Sequence, residues 1–97
     1  MRVVFDSAKN TANRRKHGIA FEDAIEVFYG FCLMSEDRRE DYPEERFISI
    51  GMAGDEVLVL AHTVENDADT IRIISARKAE PYERKTYLNA YLKEFGC

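Results

Sequence analysis

Arg72 interrupts an apolar run, Thr70-Ile71-Arg72-Ile73-Ile74-Ser75-Ala76-Arg77, so its guanidinium must reach water, an acid or a ligand. Arg77 follows five residues later, where alternation sets it on the opposite face unless the strand ends near Ala76 and lets the two rejoin. Arg46 stands beside Glu45, and His62 shares a side with Leu58 and Leu60 in Val57-Leu58-Val59-Leu60-Ala61-His62-Thr63. Lys9, Arg14, Arg15 and Lys16, followed by His17, form a basic stretch without an acid. Breaking a phosphodiester without a metal ion needs a base for a hydroxyl proton, cations to hold the phosphate as charge grows on it, and an acid for the leaving oxygen. Arg, Lys, His and Glu can supply all three, and the planar arginine fork suits paired phosphate oxygens best.

Each of these residues also has a purely structural reading. His62 can be a core histidine held by a hydrogen bond, and His17 a favourable charge at the end of a helix. Arg46 can pair with Glu45, and Arg77 with Glu80 or Glu83. Tyr82, Tyr87 and Tyr91 could stack on bases, yet the helical spacing of the last two suits a core or a subunit interface. Other chemistries fail on inspection. The five glycines form neither a dinucleotide fingerprint nor a phosphate-cradling loop, and neither histidine has the i, i+4 partner of a zinc protease. Asp67 and Asp69 lack the remaining ligands of a calcium loop, so the sequence predicts no metal site and no cofactor.

The 97 residues set a ceiling of one compact domain, residues 1–97, and 45% hydrophobic with 33% charged residues describe an ordinary globular chain. A formal charge of −4 argues against coating nucleic acid by bulk charge. The sign is segregated, however. Lys9 to His17 is basic, and Arg72 to Lys85 holds five cations against Glu80 and Glu83. Glu36 to Arg46 carries six acids against three arginines, and Asp55 to Asp69 carries five acids and no base. A confined cationic site is thus compatible with the acidic total if the basic stretches meet. No apolar run approaches a membrane span and no signal peptide is visible, which predicts a cytoplasmic protein without membrane partners. Cys32 and Cys97 read as reduced thiols.

The elements that must position these residues follow from period and caps. Val3-Val4-Phe5 is a short strand, and Asp6 or Ser7 caps a helix running from about Ala8 to Gly18. Phe21, Ala24, Ile25 and Phe28 predict a second helix that stops at Gly30. Extended segments follow at Cys32–Glu36, Arg46–Met52, Val57–Thr63 and Thr70–Ala76, with turn residues at 53–56 and 65–69. Pro81 opens a last helix whose stripe of Tyr87, Leu88, Tyr91, Leu92 and Phe95 lies on the sheet. The expectation is an α+β fold: two N-terminal helices, an antiparallel sheet of three to four strands, and a C-terminal helix packed on it.

As a set, these segments resemble the BrnT toxin family of bacterial type II toxin–antitoxin systems. The matching residues are Phe5-Asp6, Lys9, Asn13, Lys16-His17-Gly18, Phe21-Glu22-Asp23-Ala24 and Val27-Phe28, then Asp37, Glu45-Arg46, Ile50-Gly51, Leu58 and His62-Thr63. They end with Arg72-Ile73-Ile74-Ser75-Ala76-Arg77, Ala79, Glu83-Arg84 and Tyr87. The family often has Trp where Phe5 stands, and Asp after Phe28, where this chain has Tyr29-Gly30. The resemblance implies a RelE-like fold, a ribonuclease that stops translation, and neutralisation by a BrnA-type antitoxin; the cations and histidines above would make the cleavage metal-independent. It also implies a toxin homodimer within a heterotetramer, with operator DNA reached only through the antitoxin. Carried over by position, Arg72 and Arg77 take phosphate and transition-state charge, with Arg46 a third cation. His62 transfers a proton or orients a neighbour, and Lys9, Arg14, Lys16 and His17 hold RNA. A non-catalytic module that binds RNA or protein is the competing reading.

Overall fold

The computed structural model describes residues 1–65 and 69–96, so the turn residues Asn66, Asp67 and Ala68, and the Cys97 thiol, lie outside the described residues. Strand β1 (Arg2–Phe5) leads into helix α1 (Ser7–His17), capped by Asp6, whose side chain accepts from the Ala8 N–H. Gly18, with φ of 74°, ends it in the left-handed region that an L side chain avoids. The second helix is shorter than its apolar spacing predicts: α2 (Phe21–Ala24) tightens into a 3-10 helix over Ile25–Tyr29. The tightened turn buries Val27 completely beside Phe21 and Ala24, while Phe28 is only partly buried.

Strands β2 (Cys32–Glu36), β3 (Phe47–Ala53), β4 (Glu56–Glu65) and β5 (Thr70–Lys78) form an antiparallel meander, and helix α3 (Pro81–Phe95) follows. The sheet corrects the expected architecture in two ways. It has five strands in the order β1-β5-β4-β3-β2, and β1 pairs in parallel with β5, so the sheet is mixed. Four residues of Val-rich sequence cannot announce their partner; the crossover through α1, α2 and the meander decides it.

Register then fixes the faces. Cross-strand partners Gly51 and Leu58, Ser49 and Leu60, and Phe47 and His62 share one face with Cys32. Onto that face pack Ile19, Phe21, Ala24 and Val27, together with Ile73 and Ala76 of β5, in a single apolar cluster. Each fully buried aliphatic or aromatic side chain there contributes about 1.5–3 kcal/mol. Two buried asparagines of α1 hold the layer in place. The Asn10 carboxamide accepts from the Phe21 N–H at 2.8 Å and donates to Glu22 Oε1 at 2.7 Å, while Asn13 reaches β5.

Between β4 and β5 the pairing slips: Ala61 faces Ser75 but His62 faces Ile73, leaving Ile74 as an extra residue. This β-bulge absorbs one step of alternation. Arg72, partner of Thr63, and Arg77, partner of Val59, therefore lie on the same face, opposite to His62, although β5 runs on past Ala76. Helix α3 packs on the sheet through Tyr87, whose hydroxyl donates to the Phe31 carbonyl at 2.8 Å. Its first turn is a capping box, with the Glu80 N–H donating to Glu83 Oε1 and Pro81 at the first helical position. Leu92 and Phe95, expected against the sheet, are largely exposed.

Candidate active site

Arg46 directly precedes Phe47, the partner of His62, and so falls beside Thr63 at the mouth of β3. Thr63 pairs in turn with Arg72, and Arg72 with Val4 of β1. One row across the sheet thus carries two arginines separated by a threonine, about 10 Å apart between main chains at two interstrand spacings. Where β1 gives way to α1, this row borders a recess of about 470 Å³ lined by Asp6, Lys9, Glu44, Arg46, Thr63, Glu65, Arg72, Ile73 and Ile74. Three of the predicted residues, Lys9, Arg46 and Arg72, meet here from three distant stretches of chain.

Each arginine is held by an acid. Arg72 Nε donates to Glu65 Oε2 at 3.0 Å, and Thr63 Oγ1 donates to the same oxygen at 3.1 Å. The Arg72 hydrogen bond, aided by that hydroxyl, holds the Glu65 carboxyl below the usual carboxylate range. Arg46 Nε donates to Glu44 Oε1 at 3.2 Å, and its guanidinium carbon sits 4.1 Å from the centre of the Tyr42 ring. Tyr42 is tied down by its hydroxyl donating to Asp37, a carboxylate whose two oxygens also take the fork of Arg39 at 2.8 Å each. The Arg39 bonds lower the Asp37 pKa to about 2, and the Asp37 N–H donates to the Arg46 carbonyl. The acidic loop is therefore a rigid mount for Arg46. Half-exposed ion pairs such as Arg72–Glu65 contribute under about 1 kcal/mol, so the Arg72 guanidinium stays open to an incoming anion at small cost.

The other predicted residues lie elsewhere. His62 is wholly buried, edge-on to Phe28 with 5.0 Å between ring centres and stacked near Phe47 at 6.0 Å. Its Nδ1 faces the Thr63 carbonyl at 3.3 Å, which can only accept, so the proton sits on Nδ1 and Nε2 accepts from Ser49 Oγ at 2.7 Å. Burial lowers its pKa, so the ring is neutral. Arg77 gives both terminal nitrogens to Glu83, at 2.7 and 2.9 Å, which fastens β5 to the first turn of α3. About 15 Å of strand separates it from Arg72. Arg14, Lys16 and His17 occupy the last turn of α1, where they suit the helix dipole but do not line the recess.

Sequence reasoning passed over the recess acids Glu44 and Glu65, and Thr63. Alternation from His62 was the available signal, since it places Thr63 and Glu65 together on the face away from the core. Among the described residues, no three His, Cys, Asp or Glu side chains are disposed to hold a metal ion, and no helix is long and apolar enough to cross a membrane.

A small α+β scaffold that gathers cations from separate segments into one recess is suited to a phosphodiester, and comparison with protein families gives the class. Residues 5–83, which include every lining residue of the recess, match the model of a family described as a ribonuclease toxin of type II toxin–antitoxin systems. That family is BrnT, and the chain belongs to it. No curated protein matches the chain.

Proposed function

We propose that this toxin is a metal-independent endoribonuclease whose active site is the recess between Lys9, Arg46 and Arg72. The observation that carries the reading is the convergence of these three cations, from α1, the start of β3 and the middle of β5, on one concave surface of a net-acidic chain. Two guanidiniums and an ammonium can hold a phosphate while the neighbouring 2′-OH attacks it, and they compensate the charge that grows on its oxygens. His62 is an orienting residue: its Nδ1–H bond to the Thr63 carbonyl steadies the strand beside the bulge, directly under the row that carries Arg72. Arg77 acts at one remove by clamping α3, and Arg14, Lys16 and His17 extend the positive surface for RNA beyond the recess.

On this reading the toxin, in a RelE-like frame, stops translation by cutting RNA in the cytoplasm. A BrnA-type antitoxin neutralises it within a heterotetramer built on a toxin homodimer, and contact with operator DNA comes through the antitoxin alone. The acidic stretches at 36–45 and 55–69 suit a partner with a basic region. The test is purified, antitoxin-free protein incubated with RNA in EDTA. Fragments ending in 2′,3′-cyclic or 3′-phosphate are expected, and RNA that stays intact unless a divalent metal is added would refute the metal-free mechanism.

A further inference from the structure

With His62 sealed in the core and His17 outside the recess, no described imidazole lines the recess to accept the 2′-OH proton. Three carboxylates line the recess. Asp6 is committed as the cap of α1, its Oδ1 taking the Ala8 N–H at 2.8 Å. Glu44 stands in the irregular loop before β3 with one bond to Arg46. Glu65 ends β4, and both of its bonds, from Thr63 Oγ1 and Arg72 Nε, fall on Oε2. That arrangement fixes the carboxylate and, among the described residues, leaves Oε1 to accept a proton. Arg72 meets Glu65 through Nε, so its two terminal nitrogens are the edge it can offer to a phosphate.

Resting on the ribonuclease reading above, we propose that Glu65 is the general base, held at a set distance from the scissile phosphate by one guanidinium that binds the carboxylate on one edge and the phosphate on another. Glu65 Oε1 takes the proton of the 2′-OH, the 2′-oxygen forms its bond to phosphorus, and the bond from phosphorus to the 5′-oxygen breaks. The departing 5′-oxygen takes a proton from the Lys9 ammonium, the one ammonium lining the recess among the described residues. A 2′,3′-cyclic phosphate and a 5′-hydroxyl result, and solvent returns both side chains to their starting charge. The hydrogen bonds that depress the Glu65 pKa keep it ionised at neutral pH, the form a base requires.

The experiment compares wild type with Glu65→Gln on a short RNA, and measures binding to the same oligonucleotide bearing a single 2′-deoxy sugar at the mapped cleavage position. Glu65→Gln keeps a hydrogen-bond acceptor for Thr63 and Arg72 but cannot take the proton. It should cut at least about 10²-fold more slowly while binding the deoxy analogue within threefold of wild type. Added formate should restore part of the rate in Glu65→Ala. If Glu65→Gln cuts within tenfold of wild type, or loses binding in step with cleavage, Glu65 is not the base and the ribonuclease reading stands without it. If wild type itself leaves RNA intact, the ribonuclease reading falls and takes this assignment with it.

Discussion

Asn13 pairs with both backbone groups of Ala76: its Oδ1 accepts from the Ala76 N–H at 3.0 Å and its Nδ2 donates to the Ala76 carbonyl at 2.8 Å. The same Nδ2 also donates to the Ile19 carbonyl at 2.9 Å. The ladder between β1 and β5 ends at the Phe5 and Ile73 pair, so beyond it no strand among the described residues lies beside the edge of β5. One carboxamide stands in for that strand and closes an edge that would otherwise have bare donors and acceptors. It also joins α1, the β5 edge and the turn into α2 at a single buried point.

Asn13→Leu should therefore cost far more than an ordinary helix substitution. It leaves three backbone groups without their partner in a buried place, and a loss of about 3 kcal/mol is expected after water repairs part of the damage. Thermal melts should fall by roughly 12–24 °C for a chain of this size. Asn13→Asp, which keeps the acceptor and loses both donations, should be no better tolerated.

Arg72→Ala and Arg46→Ala should each lower RNA cleavage by about 10²–10³-fold with circular dichroism unchanged, since each removes a preorganised cation from the recess. Arg72→Lys should rescue little, because an ammonium cannot bind Glu65 and phosphate on two edges at once. Binding of a non-cleavable RNA measured against salt should lose about 0.7 from its log–log slope for each phosphate contact removed.

Acid should weaken the fold in two windows. His62 has a lowered pKa in the folded state, so the unfolded chain binds its proton more readily, and stability declines as pH falls below about 6.5. His62→Gln should flatten that first decline. Asp37 also has a folded pKa that is lowered, so its contribution is present above about 4 and is lost as pH falls toward 2. About 1–2 kcal/mol should disappear there, a figure reduced by the solvent around Arg39. Urea titrations from pH 8 to pH 2 on wild type, His62→Gln and Asp37→Asn separate the two.

Gly51→Ala should destabilise without touching the recess. A Cβ at this position would lie 2.8 Å from Val27 Cγ1 and 3.2 Å from the Val27 carbonyl, in the contact between β3 and the 3-10 helix. Overpacking of this kind costs about 1–3 kcal/mol. Denaturant midpoints should drop while the cleavage rate of the remaining folded protein stays at the wild-type value.

Much of this molecule can be read from residue order. Caps at Asp6 and Gly18, the strand at Cys32–Glu36 and the helix opened by Pro81 all follow from local chemistry. Lys9 and Arg72 could be named as cations that need a ligand, because charge amid apolar residues or in a run without acids is a local signal, whereas Arg46, set among acids, is singled out by the family resemblance. Asn10 and Asn13 could not be read as buried, since a polar residue on a polar helix looks solvated until its distant backbone partner is known. Nor could Arg77 be set on the same face as Arg72. That placement depends on how β4 and β5 slide past one another, and nothing in Ile73-Ile74-Ser75 records it.

The slip at Ile74 makes the site depend on counting as well as on chemistry. Along β5 from the bulge to Lys78, exchanging one side chain for another leaves the facing of the rest unchanged. Removing or adding one residue would turn over every position that follows, moving Ala76 out of the core and away from Asn13, and Arg77 away from Glu83. A change of length in this stretch should therefore cost more than any single exchange of side chain.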